Sequence, residues 1–309
     1  MPDSSRSTTA IVPSMGAIEW SLLVGLSILW GGSFFFIELA LLDLPPLTIV
    51  WARVTLGAVV LGLYAAARGH LFSRSLQEWT SLAVMGALNN ALPFALIVWG
   101  QTQITGGLAA ILNASTPLFV VLVAHVFTTD ERLRLHKIVG VGFGLVGVVV
   151  LMGPSALRGL GGETLAQVAV LGAALSYAVA GVFGRRFRGQ PPAVTAASTL
   201  GCATLFLTPV TLLMEPPGSY SVSALSLSAI GGLAVLSTAV AYMVYFRLLA
   251  SAGATNALLV TFLIPVSAVV LGGAFLGEVL GMTDGIGMAL ILAGLLAVDG
   301  RIFRRFDEA

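Results

Sequence analysis

The chain has 309 residues, of which 57% are hydrophobic and only 9% charged, and its mean hydropathy is +0.99. A typical globular protein carries roughly 25% charge, and a soluble fold of this size has too much surface to hide so much apolar material. A net charge of +1 excludes the basic face of a nucleic-acid binder, and the single Cys202 excludes an intrachain disulfide or a cysteine-based metal site.

Residues 1–17 are polar and read as a cytoplasmic tail; the apolar run that follows exceeds a signal-peptide core, so no cleavable leader is expected. A bilayer core needs about 20 apolar residues of helix. On that rule ten spans follow in order: 18–40, 46–67, 79–99, 103–126, 136–153, 165–184, 192–213, 224–247, 254–276 and 283–299. Residues 300–309 form a second polar tail. The fold class expected is therefore an all-α integral membrane protein, with connectors too short for a soluble domain.

Lys and Arg in the loops orient such a chain. Arg6, Arg68, Arg74, Arg132, Arg134, Lys137, Arg185, Arg186, Arg188, Arg247, Arg301, Arg304 and Arg305 all fall on the side of the N-terminus. Arg158 alone falls opposite, and Arg53 lies inside a span. Both termini are expected in the cytoplasm.

The chain also repeats. Trp30 aligns with Tyr177, Gly140 with Gly287 and Gly147 with Gly294 at an offset of 147; Pro117 answers Pro265 at 148, each followed by an acid, Glu131 or Glu278. Two repeats of five spans, 18–153 and 164–299, must enter the membrane from opposite sides. Inverted repeats of this kind characterise secondary transporters, with the substrate at the repeat interface near the midplane.

Polar groups deep in spans mark pathways or hold helices together. Span one places Trp30, Ser33 and Phe34 at mid-depth, with Gly31 and Gly32 expected to weaken the helix. Span three carries Asn89 and Asn90, with Asn90, Phe94, Ile97 and Gln101 on one face. Asn113 in span four, Tyr177 in span six, and Ser237, Thr238 and Tyr242 in span eight complete a candidate substrate lining. Pro117 and Pro265 each free a carbonyl in mid-helix and are candidate flexing points. Arg53 lies about 10 Å into span two and is expected to pair with Glu38 or Asp43 in an outer ion pair, the alternative being a site for a substrate carboxylate. Gly142-Phe143-Gly144-Leu145-Val146-Gly147 matches a dinucleotide fingerprint but sits inside a span, where small residues serve helix packing. No cofactor and no metal site is expected. With no acid at mid-membrane, facilitated diffusion or exchange is expected rather than proton coupling.

Leu29-Trp30-Gly31, Arg53, and Pro117 with Glu131 and the Gly140/Gly147 helix, echoed by Pro265, Glu278 and the Gly287/Gly294 helix, resemble the EamA-type drug/metabolite transporter superfamily. The resemblance covers nearly all of 18–299. It implies ten helices, a cavity lined by spans 1, 3, 4, 6, 8 and 9, and export of small metabolites across a bacterial inner membrane. Within the family the chain looks most like its aromatic amino-acid exporters. The expected function is thus export of aromatic or neutral amino acids by alternating access. A carrier for a lipophilic cationic drug such as methyl viologen, or for a nucleotide sugar, is the alternative; a membrane scaffold or enzyme is a more distant one. Expected partners are the small-molecule substrate and the lipid bilayer, with no nucleic acid, in a monomer or homodimer.

Overall fold

The computed structural model describes residues 15–70, 75–127, 135–152 and 161–299. Glu131 and the orienting charges Arg6, Arg74, Arg132, Arg134, Arg158, Arg301, Arg304 and Arg305 lie outside the described residues. All regular structure among the described residues is helical. Seven helices are long and apolar enough to cross a membrane: α1 (Ala17–Leu41), α2 (Pro46–Ala67), α3 (Leu76–Gly100), α4 (Gly106–Phe127), α6 (Gly162–Phe187), α7 (Pro192–Met214) and α8 (Ala224–Gly253). Three shorter apolar helices are α5 (Leu135–Met152), α9 (Val260–Leu276) and α10 (Met282–Asp299).

Local chemistry sets the boundaries. Pro46 and Pro192 open α2 and α7, where the missing N–H costs nothing. Thr105 caps α4 by accepting from Leu108 N at 3.3 Å, and Ser223 caps α8 by accepting from Ser226 N at 3.2 Å. Gly253 takes φ 79° and ends the eighth span; helix resumes at 254, where the ninth span is expected, and a turn at 258–259 separates that first stretch from α9 at Val260. The fourth span, expected as one helix, is interrupted by a turn at Ala114–Ser115. Pro117 offers no N–H to the Asn113 carbonyl, which instead accepts the Thr116 hydroxyl at 2.7 Å.

Three π-helical segments widen the ladder, at Ala87–Ala91 in α3, Gly232–Val240 in α8 and Gly272–Leu276 in α9. Such bulges release carbonyls from the normal pairing. Hydroxyls collect two of them: Ser176 Oγ donates to Leu88 O at 2.7 Å, and Thr238 Oγ1 to Leu233 O at 2.9 Å.

The helices pack in recurrent pairs: α1 on α9 and α6 on α4, α3 on α6 and α8 on α1, α2 on α8 and α7 on α3, with α2 on α7 and α5 on α10. The α5–α10 crossing is the closest in chemistry, because glycines meet backbone to backbone. A Cβ on Gly140 would stand 2.6 Å from Gly294 O, and one on Gly147 would stand 2.8 Å from Gly287 O. Within the fingerprint-like stretch Gly147 meets α10 and Gly144 meets Leu118 of α4, so these two serve packing, while Gly142 faces open space. Gly31 plays a similar part in α1. A Cβ there would lie 2.7 Å from Ser267 Oγ and 2.9 Å from Ala268 N, and Ser267 Oγ donates to Ser27 O across the same α1–α9 contact. α1 runs unbroken through Gly31 and Gly32, so these glycines seat α9 rather than weaken the helix.

Candidate functional site

Three carboxylates tie one end of the bundle, each at the N-terminus of a helix where unpaired N–H groups and the helix dipole favour an anion. Glu215 accepts from Leu47 N and Thr48 N at the start of α2, at 3.0 and 2.7 Å. Glu278, turned back by the left-handed Gly277, accepts from Gly106 N at 3.2 Å and Gly107 N at 3.0 Å at the start of α4. Asp43 accepts from the backbone and hydroxyl of Ser223 and from the Ser226 hydroxyl at the start of α8. Those hydrogen bonds hold the Asp43 carboxyl below the usual carboxylate range, the Ser223 hydroxyl contributing most.

Deeper in the bundle stands Arg53, buried at 6% exposure. Neither expected partner meets it: Glu38 accepts from Gln101 Nε2 at 3.4 Å, and Asp43 is occupied at α8. Arg53 Nε instead donates to Thr238 Oγ1 at 3.0 Å, and its guanidinium carbon lies 3.7 Å from the centroid of the Phe94 ring. This is a cation–π contact between α2 and α3, bolted to the π segment of α8. Gly57, one turn along α2, lets Thr238 approach; a Cβ there would stand 3.0 Å from Thr238 Cγ2. Sequence reasoning read Arg53 as peripheral, although a lone cation inside a span is itself the signal of a site.

Aromatic rings surround this cation. Phe94 meets Tyr177 edge-on at 6.5 Å, and Tyr242 stacks on Phe246 at 5.7 Å. Asn89 Nδ2 donates to the Tyr242 hydroxyl at 3.3 Å. Phe246 continues to Tyr245 at 5.8 Å, and Tyr245 to Trp30 at 5.4 Å, so Trp30 joins the assembly from its far end.

Of the expected lining, Asn89, Phe94, Tyr177, Thr238 and Tyr242 therefore converge around Arg53. Asn90 is fully buried one turn before Phe94, and neither atom of its amide has a partner among the described residues. Ser237 Oγ and Asn113 Oδ1 are also buried without partners. Ser33 and Phe34 are committed elsewhere: the Ser33 hydroxyl donates to Trp30 O, and Phe34 sits in the core where its carbonyl accepts from Gln101. Pro117 follows the break in α4, while Pro265 is buried inside α9.

Comparison with known proteins agrees with this architecture. The EamA-like transporter family matches the chain twice, over residues 18–153 and 164–298. The uncharacterized transporter YoaV of Bacillus subtilis is 25% identical over 276 residues, covering 88% of this chain and 94% of that protein. The uncharacterized inner membrane transporter YedA of Escherichia coli K12 is 24% identical over 289 residues, with 93% and 91% covered. Protein PecM of Dickeya dadantii is 27% identical over 230 residues, with 72% and 75% covered. A solved crystal structure shares the fold at a TM-score of 0.66 and 20% identity, covering 96% of this chain and all of its own. The chain belongs to the EamA-like transporter family, and is a multi-pass membrane transporter.

Proposed function

We propose that this transporter exports aromatic or neutral amino acids from a bacterial cytoplasm across the inner membrane by alternating access. The observation that carries the reading is the centre itself: the aromatic pairs Phe94–Tyr177 and Tyr242–Phe246, with the fully buried Asn90 amide one turn before Phe94 and without a partner among the described residues. An unpaired buried amide costs about 1–3 kcal/mol, a cost that a polar group of the substrate can offset. The rings offer stacking area to the substrate's side chain.

The architecture proposed is ten spans in two inverted repeats, 18–153 and 164–299, with both termini cytoplasmic. The 147-residue offset and the two family matches support it. So does the main packing: shifting every helix by five turns α1–α9 into α6–α4, α3–α6 into α8–α1 and α2–α8 into α7–α3, and returns α2–α7 and α5–α10 to themselves. Gly140 is the counterpart of Gly287 and Gly147 of Gly294, and their contacts are reciprocal, Gly140 with Gly294 and Gly147 with Gly287. That exchange is the mark of a two-fold relation. The π segments in α3 and α8 fall at equivalent positions as well, since Ala87–Ala91 shifted by the repeat offset lies within Gly232–Val240. Pro117 and Pro265 are the proposed flexing points, and Trp30, Asn113 and Ser237 the proposed remainder of the lining.

Reconstituted vesicles loaded with labelled phenylalanine test the substrate. Saturable efflux, blocked by tryptophan and tyrosine, is expected. Absence of efflux from vesicles holding folded protein would overturn the amino-acid assignment. Transport that strictly required an imposed pH gradient would overturn the expected uncoupled mechanism.

A further inference from the structure

A guanidinium presents five N–H donors in one plane and two apolar faces. In Arg53 one face is covered by the Phe94 ring, and Nε is engaged by Thr238 Oγ1. Stacking occupies a face rather than an edge, and among the described residues no acceptor meets the two terminal nitrogens, so that edge retains its capacity for a bidentate acceptor. Among the described residues no carboxylate meets that edge: Glu38 is held by Gln101, Glu215 by α2, Glu278 by α4 and Asp43 by α8. A buried cation without a counter-charge is costly. Here it is held in place from two helices, by the Phe94 ring of α3 and the Thr238 hydroxyl of α8, whose close approach is permitted by Gly57 on the same helix as Arg53. Unpartnered Asn90 and Ser237 lie on the same elements, one turn from Phe94 and beside Thr238 respectively.

We infer that Arg53 is an anion anchor, whose outer edge receives the carboxylate of an amphipathic substrate while its apolar body lies against Phe94, Tyr177 and Tyr242. The inference rests on the carrier reading above and narrows it to carboxylate-bearing substrates. It excludes lipophilic dications such as methyl viologen from this site, since Arg53 repels them.

The test is thermal unfolding of the purified, detergent-solubilised protein against three probes of one size. These are phenylalanine, 3-phenylpropanoate (carboxylate without amine) and phenethylamine (amine without carboxylate). Both carboxylates are expected to raise the unfolding temperature in a saturable way and phenethylamine is not. In Arg53→Gln the carboxylate affinity is expected to fall at least about tenfold, as for loss of a charge-assisted pair, with Arg53→Lys in between. Equal stabilisation by phenethylamine, an undiminished response in Arg53→Gln, or no response of the wild type to either carboxylate would overturn the inference. Should Arg53→Gln fail to fold, phenylalanine methyl ester against the wild type decides. Competition equal to that of phenylalanine overturns the anchor, and loss of competition upholds it. The two readings separate cleanly. Phenylalanine efflux with equal competition by the ester sinks only the anchor. A 3-phenylpropanoate response that depends on Arg53, without amino-acid efflux, sinks only the amino-acid assignment.

Discussion

Two glycines five residues apart in α5 should respond oppositely to the same substitution. In Gly147→Ala the new Cβ would stand 2.8 Å from Gly287 O and 2.9 Å from Ile291 N. Both are backbone atoms and cannot rotate aside, so α5 and α10 must separate by about half an ångström to restore ordinary contact. Overpacking of this kind costs about 1–3 kcal/mol. In Gly142→Ala the Cβ meets nothing within 4 Å, and the gain in helix propensity makes the change neutral or stabilising by up to about 1 kcal/mol. Gly294→Ala, the repeat counterpart of Gly147→Ala, should also destabilise, since its Cβ would stand 2.5 Å from Gly140 O. Thermal unfolding in one detergent compares all three with the parent protein. Equal unfolding temperatures for Gly147→Ala and Gly142→Ala would refute the argument that α5 and α10 meet through these glycines.

Asn90→Ala should reduce transport yet leave the empty protein as stable or more stable, because it removes an unpaired buried amide worth about 1–3 kcal/mol; lower thermal stability with intact transport would make Asn90 a structural residue. Glu278→Ala should lower stability by about 0.5–2 kcal/mol through loss of the α4 cap, with partial recovery in Glu278→Gln, as read by thermal unfolding. The Asp43 carboxyl is depressed in the folded state, so its contribution is fully present above the ordinary Asp range, about pH 4, and is lost as pH falls through the lower folded value. The unfolding temperature of the wild type should therefore decline below about pH 4 more steeply than that of Asp43→Asn; parallel curves would remove Asp43 from the cap.

The apolar helices and their order are legible because hydropathy is a one-dimensional signal. Several features are not, since they depend on what lies opposite. Nothing in Gly-Ala-Leu-Asn-Asn-Ala announces a π segment, and the extra residue per turn is what accompanies the different fates of Asn89, bonded to Tyr242, and Asn90, unpartnered. The partner of Arg53 was sought among acids nearby in sequence, yet the contact is made by Thr238, 185 residues away, and by the face of a ring. Glu278 was visible as an acid closing a span, but its use as a cap on α4 requires the left-handed turn at Gly277 and a helix 171 residues upstream. The role of Gly31 is likewise hidden from its own helix, because it is set by Ser267 on α9.

In the proposed cycle this bundle carries an amino acid by exposing one site to each side of the membrane in turn. Counterflow tests it directly: vesicles preloaded with unlabelled phenylalanine are diluted into a trace of the labelled form. Transient accumulation of label above its equilibrium level is expected, abolished by tryptophan in the preload buffer and outside. Label that merely equilibrates at the same rate with and without preloading would contradict a carrier with a single alternating site.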